Sequence, residues 1–212
     1  MFNIILLESS ISLLPKRFWN WPEAKAYHRR FGVPPERQIL DISFHYDIVR
    51  TLKNPKLGRP DIVHLTLLSV FAIPREELGE IYVHSVEGIV YEVSKEVRLP
   101  KNYFRFLGLM SQLLSYGRVP PTGKALLKRI NDRGLKELAE GRLILMDERG
   151  ERVDIKELCQ MANDGYLIGI GAFPHGDFSP EVLRLSVRRV SISSRTLEAY
   201  QVACMLASAC SL

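Results

Sequence analysis

The chain has few cysteines, no long apolar run and no internal repeat, and each shortage closes a class of function. Its three cysteines, Cys159, Cys204 and Cys210, include no C-x-x-C pair, and an odd number argues against a disulfide framework. Cys204 and Cys210 fall in an apolar helical run, where small core residues are expected. No zinc spacing exists, and His64 and His84 are too isolated to suggest a metal, so none is expected. No apolar stretch approaches the length that spans a bilayer. The start, Met1-Phe-Asn-Ile-Ile-Leu-Leu-Glu, is too short and too soon acidic for a signal peptide and reads as a buried first strand. The expectation is a cytoplasmic protein with no membrane partner.

What is present is an ordinary globular composition. Hydrophobic residues make up 46% and charged residues 25% of 212, enough for a sizeable core in one domain spanning 1–212. Net charge is +5, and its placement says more than its size. Between Arg98 and Arg142 ten basic residues face three acidic ones, a net of +7, so the rest of the chain is slightly acidic. Such a block is the footprint expected of a phosphate-backbone partner, although charge runs are more often a solvated helical surface.

Apolar periodicity alternates strands with helices. Phe2–Leu7, Arg142–Met146, Tyr166–Gly171 and Leu185–Ser191 read as strands. Trp21–Phe31, Asp61–Phe71, Ile155–Ala162 and Leu197–Ala209 read as helices. That rhythm predicts an α/β fold with a mainly parallel sheet. Glu80–His84 and Ile89–Val93 flank Ser-Val-Glu-Gly as a hairpin. A helix follows, with Phe106, Leu109, Met110, Leu113 and Leu114 as its core stripe. Hairpin and helix interrupt the rhythm and are expected to form an inserted extension at about 80–120.

One turn invites a ligand. Leu167-Ile-Gly-Ile-Gly-Ala-Phe-Pro-His-Gly-Asp places three glycines after a buried strand, where open α/β sheets bind ligands. It is not G-x-G-x-x-G, since Pro174 and His175 intervene, and it lacks the Gly-Lys-Ser/Thr of a P-loop. On these residues alone an empty connecting loop is as good a reading as a binding site. Ser191-Ile-Ser-Ser-Arg-Thr-Leu then runs from a strand toward the last helix, where small residues can cap it or offer N–H groups to a carboxylate.

Gly171-Ala-Phe-Pro-His-Gly, Ser191-Ile-Ser and the terminal helix together resemble the C-terminus of the SPOUT, or α/β-knot, methyltransferases. Gly58-Arg-Pro-Asp-Ile-Val-His, Val97-Arg-Leu-Pro-Lys-Asn-Tyr-Phe-Arg-Phe-Leu-Gly-Leu-Met and Leu114-Ser narrow this. Their order resembles the ribosome-biogenesis pseudouridine N1-methyltransferases, the nucleolar essential protein family. The resemblance implies a C-terminal trefoil knot, a homodimer, and S-adenosylmethionine as cofactor. It implies a cofactor pocket at Gly171, Gly176, Ile192, Ser193, Ser194, Arg195, Thr196 and Leu197, with Leu145 and Met146 as a third wall. It implies that Arg59, Arg98, Lys101 and Arg105 contact small-subunit ribosomal RNA and that Asp61 holds Arg59. Lys101 stands where arginine is common in the family, keeping the charge without the bidentate fork.

Pseudouridine carries its sugar on carbon, so N1 is free and bears a proton that methyl transfer must displace. Asp61 is the nearest candidate base, but carboxylates paired with arginine are poor bases, which favours an orienting role for it. Two rivals share the basic block: an RNA-binding assembly factor whose catalysis is dispensable, and a knotted transfer-RNA methyltransferase. The Arg59-Pro-Asp stretch speaks against the latter.

Overall fold

The computed structural model describes residues 1–132 and 134–210, which form one sheet with helices on both faces. In chain order the elements are β1 (Phe2–Ser9), α1 (Pro22–Phe31), α2 (Tyr46–Leu52), α3 (Pro60–Val70), β2 (Leu78–Ser85) and β3 (Val90–Val93). They continue with α4 (Tyr103–Tyr116), β4 (Arg118–Val119), β5 (Leu127–Arg129), α5 (Leu135–Ala139), β6 (Leu143–Arg152) and α6 (Ile155–Asn163). The last four are β7 (Leu167–Gly171), α7 (Pro180–Leu185), β8 (Ser186–Ser191) and α8 (Ala199–Cys210).

The strand order is β4-β5-β3-β2-β1-β7-β6-β8. From β2 to β8 every neighbouring pair is parallel, and β3, β5 and β4 add an antiparallel edge. The mainly parallel α/β expectation therefore holds. β1 is apolar almost throughout because it lies between two parallel partners under covered faces. Period-two alternation splits β6, one strand beyond β7: Ile144 and Met146 join the larger core, Leu143 and Leu145 the smaller one across the sheet. Val63, Leu67 and Val70 of α3 meet Val202, Ala203 and Leu206 of α8 in the larger core. Each fully buried Val or Leu among them contributes about 1.5–3 kcal/mol.

Helix ends follow local chemistry. Asn102 caps α4 by accepting from Arg105 N at 3.1 Å, and Gly117, at φ 71°, stops it. The buried face of α4 is turned relative to the expected stripe: Leu107 and Ser111 are buried, whereas Leu109 and Leu114 are only half-buried. Ser111 explains the turn, because its hydroxyl donates to Arg37 O at 2.7 Å and so lies against the segment after α1. The helix α7 is signalled by Ser179-Pro-Glu: the serine accepts from Val182 N at 3.4 Å and proline takes the first helical position. The expected extension overlaps the antiparallel edge with different bounds, since β2 pairs inside the parallel core and β5 lies beyond residue 120.

The cysteine expectation is corrected. Cys159 of α6 and Cys210 of α8 form a disulfide, with Cα atoms 5.3 Å apart. An odd count leaves one cysteine over without forbidding a pair, and packing of α6 on α8 brings these two together. The remaining one, Cys204, is exposed rather than in the core. Among the described residues no helix is long and apolar enough to cross a membrane.

Candidate active site

Beyond the carboxyl ends of the parallel strands, three chain segments enclose a cavity of about 630 Å³, within the range of small-molecule sites. The first segment leaves β6. That strand pairs with Val190 of β8 at Met146 and again at Glu151, so Asp147 to Gly150 bulge out of the ladder. Gly150 permits this, because a Cβ there would meet Val190 N at 2.5 Å. The second segment is the glycine turn after β7. A Cβ on Gly171 would stand 2.8 Å from the Phe178 ring and 3.1 Å from that of Phe173, so glycine is what lets both rings fold over the cavity. Gly176 holds φ 100°, a backbone that side chains rarely adopt. The third segment is the non-helical stretch between β8 and α8.

Side chains stitch these segments together. Arg149 pairs with Asp177 between the first and second. Thr196 Oγ1 donates to Glu148 Oε2 at 2.6 Å between the third and first, and Arg189 of β8 holds Asp147 at 2.6 Å. Of the expected cofactor residues, Gly171, Gly176, Met146, Ile192, Ser193, Arg195, Thr196 and Leu197 line the cavity. Two expected residues do not. Leu145 alternates to the opposite core, as a strand neighbour of Met146 must, and Ser194 is exposed outside the lining. Sequence reasoning missed Asp147, Glu148 and Arg149. Their signal was a charged run straight after an apolar strand, which reads equally as an ordinary strand end.

Beneath the glycine turn lies a buried carboxylate. Glu8, at the end of β1, holds φ 49°, a left-handed conformation costing a residue with a Cβ about 1–2 kcal/mol. In that conformation its carboxylate meets Lys56 Nζ at 2.6 Å and accepts from Ser179 N at 3.2 Å. Lys56 Nζ also stands 4.6 Å from the centre of the Phe173 ring. Glu8 N donates to His84 Nδ1 at 3.2 Å, which needs a neutral imidazole, and burial pushes the His84 pKa down.

The expected RNA contacts gather beside the start of α3. Arg59 forms a fork with Asp61, Nε to Oδ1 and Nη2 to Oδ2, both at 2.8 Å. That hydrogen bonding, with Asp61's charge, raises the Arg59 pKa. Both carboxylate oxygens of Asp61 thereby accept from the Arg59 guanidinium. Arg98, Lys101 and Arg105 are exposed and, among the described residues, have no acidic partner within salt-bridge distance. His64 brings the two stretches together: its Nε2 donates to Pro100 O at 2.7 Å and its ring stacks on Phe106 at 4.4 Å. Tyr103 adds a second tie, its hydroxyl donating to the buried Asp41 at 2.5 Å. Burial first, then the Asp41 hydrogen bond, pushes the Tyr103 phenol far up, so it stays a donor. Among the described residues no three His, Cys, Asp or Glu side chains come together as a metal-holding group.

Residues 4–211 match the family described as EMG1/NEP1 methyltransferase. The chain belongs to that family. Among the similar proteins is the ribosomal RNA small subunit methyltransferase Nep1 of Saccharolobus solfataricus, 42% identical over 210 residues, covering 98% of this chain and 95% of its own. The Sulfurisphaera tokodaii protein of the same name is 41% identical over the same shares of both chains. A crystal structure of Archaeoglobus fulgidus Nep1 bound to S-adenosylhomocysteine superposes with a TM-score of 0.84 at 36% identity over 97% of each chain. Membership in the EMG1/NEP1 family agrees with the motifs Gly58–His64, Val97–Met110 and Gly171–Gly176 that first suggested it.

Proposed function

We propose that this chain transfers a methyl group from S-adenosylmethionine to N1 of a pseudouridine in a loop of small-subunit ribosomal RNA, as a step in small-subunit biogenesis. The observation that carries the reading is the placement of Arg59 and the Arg98–Arg105 stretch at a helix-start surface, with the glycine-turn cavity opening near it on α3. Ile62, one residue beyond Asp61, lines that cavity.

The cavity suits the cofactor. Ile62, Met146, Ile170, Ile192, Leu197 and Val202 give it apolar walls for an adenine, and the charged rim offers partners for the ribose and amino-acid groups. The bound cofactor supplies the methyl on its sulfonium. Gly171, Gly176, Ile192, Ser193, Arg195, Thr196 and Leu197 would hold it in place. Arg59, Arg98, Lys101 and Arg105 grip phosphates and orient the nucleotide, so that N1 lies in line with the methyl. Asp61 positions Arg59, each of its oxygens accepting from the guanidinium. Loss of the methyl would leave the sulfonium sulfur as a neutral thioether, and the N1 proton would pass to solvent water.

The same reading extends to architecture. The stretch 192–198 runs between the β6 bulge and the glycine turn before α8 packs on α3, which suits a C-terminal trefoil knot. The chain is one domain, with the antiparallel edge and α4 as its extension. Leu65 of α3 and Tyr200 and Met205 of α8 are large exposed apolar residues on two helices packed together, the face we assign to a homodimer. A cytoplasmic location fits an RNA substrate in assembling subunits.

The test is methylation with labelled cofactor of two hairpins that differ only in carrying pseudouridine or uridine. Transfer to pseudouridine alone is expected. Equal transfer to both, or to neither, overturns the reading.

A further inference from the structure

We propose that Phe104 is a stacking shelf for an unpaired RNA base flanking the methylated nucleotide; this rests on the ribosomal RNA reading above. Phe104 sits in the first turn of α4, between Lys101 and Arg105, and is 47% exposed. Its neighbour two residues on, Phe106, is fully buried, so α4 does not lack core positions for aromatic rings. The exposed ring is held from behind. Phe31 of α1 lies 5.2 Å away at an interplanar angle of 30°, and Phe44 lies 6.2 Å away. The Arg30 guanidinium stands 5.0 Å from the centre of the Phe31 ring. An aromatic surface packed against Phe31, about half exposed and flanked along the chain by the exposed Lys101 and Arg105 has the features of a single-strand binding platform. A base stacks on the open face while the cations take the flanking phosphates, and little side-chain freedom is lost because the ring is already buttressed.

Position selects which base. Tyr103, the preceding residue, is tied to Asp41, and its ring lies 5.9 Å from that of His64 on α3, so the start of α4 that carries the shelf lies against the helix that Arg59 precedes. It belongs to the RNA-contact surface and lines no part of the cofactor cavity. The shelf therefore takes a neighbour of the target and not the target itself. The competing explanation is that Phe104 merely covers the apolar seam between α1 and α4. Leucine would serve that purpose equally well.

The experiment compares cofactor-loaded wild type with F104L, F104W and R105A. Affinity is measured for a pseudouridine hairpin cut from small-subunit ribosomal RNA and for hairpins with one loop base at a time made abasic. F104L should lose about tenfold in RNA affinity at unchanged cofactor affinity and unchanged salt dependence, and F104W should retain wild-type affinity. R105A should instead weaken all the hairpins alike and flatten the salt dependence. One abasic position should weaken wild type and erase its advantage over F104L. If F104L binds and methylates the hairpin like wild type, the shelf is overturned and the ribosomal RNA reading stands. If wild type binds none of the hairpins, both fall.

Discussion

The cavity proposed for the cofactor and the surface proposed for RNA are built from different materials. The cavity is a property of backbone: a bulge in β6, a glycine turn after β7 and a non-helical stretch before α8, crossed by ion pairs. The RNA-contact surface is a property of side chains at two helix starts, fixed by His64 and Tyr103 and otherwise open to solvent. A backbone site fails when a turn cannot close. A side-chain site fails when a charge or ring is removed. Perturbations of one region should therefore leave the other standing, and four experiments press on that separation.

The largest effect is expected from Cys159→Ser. The disulfide to Cys210 closes a loop over 51 positions that holds β7, the glycine turn, β8 and the stretch before α8, all on the cofactor side. Chain entropy puts its contribution at about 4 kcal/mol, to be read from urea unfolding with and without reductant. The variant should be insensitive to reductant and, while folded, should bind RNA normally. Next comes Gly171→Val, which drives a branched side chain into the Phe178 ring. Overpacking of about 1–3 kcal/mol should lower S-adenosylhomocysteine affinity by roughly ten- to a hundredfold in calorimetry, with RNA affinity unchanged. If RNA affinity falls in parallel, the two regions are not separable.

Asp61→Asn acts from the other side. It removes the charge that fixes the Arg59 fork, and the pair is half-exposed, so an RNA-affinity loss worth about 1 kcal/mol is expected, with cofactor affinity intact. A loss of methylation far beyond the loss of binding would return Asp61 to the role of base. The smallest effect is on pH. Burial lowers the pKa of both His84, under the glycine turn, and His45, whose Nδ1 accepts from Asp41 N. Both are neutral when folded, so their contribution is present above their ordinary value of about 6.5 and is lost as pH falls below it. Each should cost less than about 1 kcal/mol at pH 6, read as falling urea midpoints. His84→Asn and His45→Asn should each flatten the profile separately, one per region.

The same division explains what could be read from the sequence. Strand and helix order were legible because apolar periodicity is a local signal; a basic block from Arg98 to Arg142 was legible from charge, whereas the assignment of Arg59, Arg98, Lys101 and Arg105 to RNA came from the family resemblance. The cavity was only half legible. Gly171 and Gly176 announced a close approach, but Asp147 to Arg149 join through a bulge that register alone creates. Leu145 was included with Met146 as one wall, although alternation sends only one of the two to the cavity. The cysteine pair was hidden because its closure depends on α6 lying against α8, a tertiary fact. Phe104 gave no signal, since a helical phenylalanine beside a buried one reads as core.

Glu8 sets a limit to the separation. Its carboxylate is a rivet through three layers of chain: the end of β1, the loop carrying Lys56 and the turn ending at Ser179. Lys56 lies three residues before Arg59, whose own N–H is moored to Ser10 Oγ at 2.9 Å, two residues beyond Glu8. The base of the arginine proposed to grip RNA and the turn over the proposed cofactor cavity thus share one fastening. If the turn tightens around a cofactor, the same rivet carries the load to the root of Arg59.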